Sequence, residues 1–363
     1  MYRRRKKRDN YTFTMGPVTK RKRRVGHGWV WIPMIIILAG IMVGLAWFEF
    51  DRPAGHVSDT QYIYVRQGTP FDEVKKQIQK KVLLRHPSLF DWYADKKHLA
   101  QDMKPGRYAI TNTMNISQIV DMFASGKQTP LSFTIRNIRT PQELSEKIGK
   151  EMEFGAQALA KLMDDSTYCS RMGFNKETIR CIFMPDTYKV LWTTPADSLM
   201  KMMHSHYKEF WNNERTTLAD SIGFTPVQVM TIASIVEEES AHKEEYARIA
   251  GLYINRLHKN IPLQADPTIK YALGNFSLKR IMYDHLKTAS PYNTYIYKGL
   301  PPAPIRLPRK STIDTVLHYE RHPYIYMCAK EDFSGSHNFA ANFMEHQKNA
   351  KLYQEELNKR GIK

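Results

Sequence analysis

The chain has 363 residues, a formal net charge of +18 and three cysteines. That length suits one large and one small folded unit, and the cysteines fit neither a disulfide framework nor a metal-ligand spacing. The charge points to nucleic acid only until its placement is read: residues 1–24 hold eleven Lys and Arg against one acid, Asp9, which leaves 18 − 10 = +8 for the other 339 residues.

Directly after this tail, Gly28 to Phe48 is uncharged and strongly apolar. Its 21 residues, at about 1.5 Å each, span the ~30 Å hydrocarbon core of a bilayer. Trp29 and Trp31 stand at one edge and Trp47 and Phe48 at the other, as interfacial aromatics do. Basic residues precede the run and Glu49 and Asp51 follow it, so the tail is expected on the cytoplasmic side. With no clear cleavage site, the run reads as an uncleaved signal-anchor, with residues 49–363 outside the cytoplasm. A basic cluster beside a membrane is accounted for by anionic lipid or a cytoplasmic partner. Nucleic-acid binding is therefore not expected.

Residues 49–58 read as a linker. Tyr62–Arg66 has a strand pattern, and Gly68-Thr69-Pro70 opens a helix with Thr69 as N-cap and Pro70 at its first position. A helix near Leu89–Ala94, a strand at Gly106–Thr111 and a helix capped by Asn115 and stopped at Gly126 complete a small unit over residues 59–131. It carries no cluster of titratable groups, which suits binding or spacing rather than chemistry. Ser132–Arg136 is a further strand, and Thr140-Pro141 starts a helix. The chain then reads as mostly helical to residue 180, and Phe183–Tyr188 is a turn between apolar flanks. Cys169 and Cys181 could pair in an oxidising compartment, leaving Cys328 odd; three buried free thiols are the alternative.

Thr225-Pro226-Val-Gln228 is a capping box that opens an apolar helix running into Glu237, Glu238 and Glu239. Such a run often does no more than solvate a helix face. A carboxyl at the buried end of an apolar stripe can instead hold its proton near neutral pH and act as an acid. At about 100° per residue, Val229, Ile232, Ala233 and Val236 form the stripe. Glu238 then lies opposite it and should be solvated; Glu239 falls about 70° and Glu237 about 90° from its centre, a narrow preference for Glu239.

Downstream, Asp266-Pro267-Thr268 resembles a helix start with Asp266 as N-cap. The proline-dense Gly299–Pro308 segment suits a rigid wall, and Tyr292, Tyr295 and Tyr297 offer faces for sugar stacking or local packing. The histidines keep no metal pattern, and no nucleophile-elbow or nucleotide motif occurs, so neither metal nor cofactor is expected.

Taken in order, Ala233-Ser-Ile-Val-Glu-Glu-Glu239, Ile254-Asn-Arg-Leu257, Leu263-Gln-Ala-Asp-Pro-Thr268, Tyr292-Asn-Thr-Tyr295, Gly299-Leu-Pro-Pro302 and Gly335-Ser-His337 resemble the endolytic murein transglycosylases, the YceG-like family. Phe183–Tyr188 is similar to that family's Pro-Asp-Thr turn, and the likeness runs along most of residues 60–355. It departs at Glu238, where lysine is often seen, and at Ser240, where threonine is common.

The resemblance implies an α+β protein. Residues 1–27 would be a cytoplasmic tail, 28–48 a membrane anchor, 49–58 a linker, 59–131 a LysM-like module and 132–363 the catalytic domain. It implies one catalytic carboxyl, the second acid of Glu-x-Glu, here Glu239. Glu237, Gln264, Asp266, Thr268, Tyr292, Asn293, Tyr295 and His337 would support or bind substrate. The expected reaction cleaves the β-1,4 bond between N-acetylmuramic acid and N-acetylglucosamine within peptidoglycan strands and leaves 1,6-anhydro ends. The enzyme would sit in a bacterial inner membrane and could meet peptidoglycan synthases. A muramidase with Asp266 as second carboxylate and a non-catalytic glycan-binding scaffold are the rival readings.

Overall fold

Two separate hydrophobic cores, drawn from different stretches of chain, organise the molecule. The structure, a computed structural model, describes Gly16 and residues 28–361. The basic clusters of the tail and the side chain of Trp29 lie outside the described residues. In helix α1 (Gly28–Asp51) the described side chains from Trp31 to Phe48 are exposed, and only the last residues, Glu49 to Asp51, meet the unit built on the first core. Its stretch Trp31–Asp51, with mean hydropathy 2.2, is long and apolar enough to cross a membrane.

The first core belongs to β1 (Gly55–His56), β2 (Gln61–Val65), α2 (Phe71–Lys81), β3 (Leu83–Leu84), α3 (Pro87–Lys96), α4 (Leu99–Asp102), β4 (Gly106–Ile110) and α5 (Ile116–Ser125). Strands β2 and β4 pair antiparallel with Ile63 opposite Tyr108, and alternate residues, including Ile63, Val65, Tyr108 and Ile110, turn into that core. Helix α5 has the expected capping box between Asn115 and Gln118, and it stops where Gly126 turns left-handed at φ 72°.

Two expectations fail here. Thr69 does not cap α2: Pro70 takes the N-cap place in an extended conformation, without a side-chain bond. Residues 53–57 are packed rather than free. The Ala54 N–H donates to Met114 O at 2.8 Å and its carbonyl accepts from Arg85 N at 2.9 Å. β1 pairs with β3, and Ala54 and Val57 are buried.

The second core runs through β5 (Leu131–Thr134), α6 (Pro141–Glu151), α7 (Gly155–Asp164), α8 (Ser166–Arg171), β6 (Thr187–Val190), α9 (Ala196–Phe210), α10 (Asn213–Ser221), α11 (Pro226–Glu239), α12 (Tyr246–His258), α13 (Asp266–Ala272) and α14 (Lys310–Leu317). A hairpin, β7 (Tyr326–Ala329) with β8 (His337–Ala340), and α15 (Phe343–Lys359) close the chain. Thr140 caps α6 as expected, accepting from Glu143 N at 3.0 Å, and β5 pairs antiparallel with β6, which takes up Thr187 and Tyr188, the last two residues of the expected Phe183–Tyr188 turn. Cys169, Cys181 and Cys328 are all free thiols.

Helix α11 opens on the Thr225–Gln228 capping box and is buried continuously from Val229 to Glu237. It therefore has no broad solvent face. Helices α12, α13 and α14 pack around it, and a helix sheltered on every side belongs to a core rather than a surface. The 299–308 segment adds the expected wall. Ala303, Ile305 and Leu307 are buried, the Ile305 N–H donates to Ser234 Oγ of α11 at 3.0 Å, and the Leu307 N–H donates to Ile138 O at 2.8 Å. Gly299 starts the segment at φ 87°, a left-handed conformation in which a side chain would be strained.

Candidate active site

The last turn of α11 presents three carboxylates in three different environments. Glu237 is sealed, its side chain 0% exposed. Its Oε1 accepts from Arg309 N at 2.8 Å, Arg309 Nε at 3.0 Å and Thr312 Oγ1 at 2.6 Å. Its Oε2 lies 3.3 Å from Arg306 Nε. Three donors thus hold Oε1, and the Arg306 guanidinium faces Oε2 as an ion pair without a hydrogen bond, so two cations match one charge.

Glu238 corrects the helical wheel. It is not solvated: Arg139 Nη2 reaches its two oxygens at 2.9 and 3.1 Å, and Arg306 Nη1 donates to Oε1 at 2.7 Å. The face that the wheel assigned to water is occupied by the turn before α6 and by the proline-rich wall. Arg306 bridges both acids and also donates to Asn137 Oδ1 at 2.9 Å.

Glu239 is treated differently. It keeps some accessible surface, yet its Oε2 is shielded and has no hydrogen-bond partner. Burial raises its pKa from 4.5 to about 8, and the negative charge of Asp266 adds to the rise; the Tyr253 phenol and Lys270 oppose it. What separates Glu239 from Glu237 is partnership, since Glu237 is the more deeply buried but is matched by cations. A carboxyl poised in this way can carry a proton at neutral pH and give it to a nearby oxygen.

Asp266 is the first residue of α13, not its cap; Ala265 takes that place without a side-chain bond. The Asp266 carboxylate is exposed and accepts from the Tyr295 hydroxyl at 2.6 Å. Asp266 and Tyr295 both bear electrostatically on the Glu239–Tyr253 pair.

Thr268 and Asn293 are buried braces. Thr268 Oγ1 lies 2.8 Å from Thr294 Oγ1. Asn293 Nδ2 donates to Leu286 O and Thr288 O at 2.8 Å each, and its Oδ1 accepts from Tyr295 N at 2.9 Å. They fix the loop that carries Tyr295 and reach no open surface themselves, which argues against direct substrate contact. Gln264 is exposed, with left-handed backbone at φ 51°, and its Oε1 accepts from Arg256 Nη2 at 2.5 Å. Tyr292 leans on Tyr271 with ring centroids 4.5 Å apart, so local packing holds it. His337 Nδ1 lies 2.9 Å from Glu245 Oε2, which also accepts from Ser240 Oγ at 3.1 Å just beyond Glu239.

The structure thus joins Glu239, Asp266 and Tyr295 to Tyr253, which the sequence reading overlooked, as it did Arg139, Arg306 and Arg309. Tyr253 immediately precedes Ile254-Asn-Arg-Leu257, whose Asn255 and Arg256 are themselves spent on main-chain carbonyls and Gln264. Arg306 lies within the proline-rich segment and Arg309 directly after it, where a cation on a rigid wall was the available signal. Among the described residues no cluster of His, Cys, Asp and Glu is arranged to hold a metal.

A family model described as YceG-like matches residues 63–352. The chain belongs to the YceG-like family. It is similar to the endolytic murein transglycosylase of Bacillus subtilis, with 28% identity over 313 residues that cover 81% of this chain and 85% of the relative. It is also similar to the protein of that name from Streptococcus pneumoniae serotype 2, with 25% identity over 315 residues, 78% of this chain and 57% of the longer relative. A crystal structure of a YceG-like protein from Listeria monocytogenes superposes with a TM-score of 0.53 at 25% identity, covering 80% of this chain and 98% of that one.

Proposed function

We propose that this YceG-like chain is an endolytic murein transglycosylase in which Glu239 is the single acid and base. The observation that carries the reading is the shielded Oε2 of Glu239, which has neither a hydrogen bond nor a cation like those at Glu237, and whose carboxyl is pushed by burial up to about 8. Protonated at neutral pH, Glu239 gives its proton to the glycosidic oxygen between N-acetylmuramic acid and N-acetylglucosamine as the C1–O bond breaks and charge spreads over the ring oxygen. The carboxylate left behind takes the proton of the muramyl 6-hydroxyl as that oxygen bonds to C1. The 1,6-anhydro ring closes and Glu239 is protonated again. The nucleophile belongs to the substrate, so proximity replaces an activated water.

In this reading residues 59–131 form a LysM-like glycan-binding module and 132–363 the catalytic domain. The β2–α2–α3–β4 order with its antiparallel strand pair supports the first, and the two separate cores support the division. Helix α1 anchors the chain in the inner membrane with the basic tail in the cytoplasm, and synthases that make glycan strands are its natural partners.

The muramidase alternative draws on Asp266, an exposed carboxylate electrostatically coupled to Glu239. Product analysis on purified sacculi separates the two, since a hydrolase leaves reducing ends. Release of anhydro-muropeptides by Glu239→Gln at the wild-type rate would sink the assignment.

A further inference from the structure

The small unit is not suspended from α1 by a tether. Glu49 Oε2 of α1 lies 3.3 Å from His86 Nε2, the residue that precedes α3. Phe50 meets Tyr93 of α3 edge-on, with ring centroids 5.1 Å apart. Asn115 Nδ2, at the start of α5, donates to Asp51 Oδ1 at 3.3 Å, and residues 53–56 continue directly into the unit through the Ala54 bonds and the β1–β3 pair. Side-chain, aromatic and main-chain contacts together fix the orientation of the unit on the end of the helix.

That fixes its depth as well, on the reading that α1 spans a bilayer. Trp47 and Phe48 mark the edge of the apolar run, and Glu49 and Phe50 come next. The headgroup layer beyond the hydrocarbon is about 5–7 Å thick on each side. Helix α3, held against Glu49 and Phe50, therefore lies at headgroup depth. Its exposed side chains suit that layer. Trp92 is 54% exposed beside Tyr93, and Leu83 on the adjoining β3 is 76% exposed. Lys96 Nζ lies 5.2 Å above the Trp92 ring, and Arg52 stacks 4.2 Å over Phe48. Tryptophan prefers the membrane interface, and lysine lays its methylenes along apolar surface while its ammonium reaches phosphate.

We propose that the small unit rests in the phospholipid headgroup layer, with Trp92 and Leu83 as apolar anchors and Lys96 reaching the lipid phosphates. The glycan-processing unit is then carried at a set height above the bilayer.

The test uses the full chain in nanodiscs of phosphatidylcholine brominated near the headgroup end of its acyl chains. The Trp92 contribution is the fluorescence of the wild type minus that of Trp92→Phe. Most of this contribution should be quenched by the brominated lipid and retained in unbrominated discs, and Lys96→Glu should recover part of it. If the Trp92 contribution is the same in both discs while the tryptophans of α1, read in Trp92→Phe, are quenched, the proposal is overturned and the patch is left to a protein partner. If neither is quenched, the spanning role of α1 fails and the proposal with it.

Discussion

Replacing Glu239 by glutamine converts the burial of one carboxyl into a pH dependence of stability. In the fold the carboxyl keeps its proton to about pH 8, against 4.5 for an ordinary glutamate, mainly because it is buried and secondly because Asp266 is near. The unfolded chain releases that proton as pH rises past 4.5. Between the two values the folded state binds more protons, so stability falls as pH rises, and the loss is complete above about 8. Below 4.5 both states are protonated and nothing is lost. The span is 8 − 4.5 = 3.5 units, and at about 1.36 kcal/mol per unit it bounds the effect at roughly 5 kcal/mol. Glutamine does not titrate and escapes the penalty. For a unit of 150–250 residues, about 2–4 °C of Tm accompany each kcal/mol. The Tm of Glu239→Gln relative to wild type should therefore rise by up to about 10–20 °C between pH 4 and pH 9, read by near-UV circular dichroism. An equal gap at both pH values would show that Glu239 titrates normally and would remove the basis for its role as an acid.

Asp266→Asn removes one cause of the raised pKa, so the alkaline fall of anhydro-muropeptide release, centred near pH 8 in the wild type, should move to lower pH. An unchanged or upward-shifted limb would contradict the coupling. Arg306→Ala leaves Glu237 and Glu238 short of a cation inside the wall, and breaking a buried pair in this way costs about 3–5 kcal/mol. Denaturant unfolding should show most of that loss, with Arg306→Lys falling between.

Local chemistry was legible where the determinant lies within one turn. The Asn115–Gln118 and Thr225–Gln228 boxes and the Thr140 cap form as the spacing predicts. Thr69 and Asp266 carry the same short-range signals and do not cap. Pro70 sits extended one residue later than expected, and the Asp266 oxygen is taken by the Tyr295 hydroxyl, 29 residues away. The proline-rich wall was readable because its residues cannot join a sheet interior. The environment of the three glutamates was not. A helical wheel supposes one core face and one wet face, whereas α11 is enclosed, and the cations that reach Glu238 stand 99 and 68 residues away in sequence.

The long reach of the wall segment also sets an order of assembly. Glu237 finds Arg309 and Thr312 only 72 and 75 residues further on, and Arg180 reaches Pro304 across 124 residues. Until the chain has been made through residue 312, α11 has no complete set of donors for its buried acid, so its last turn cannot settle early. Pairings this distant in sequence close slowly. A chain cut short before Arg306 would carry every glutamate of the site and still lack the fold that distinguishes them.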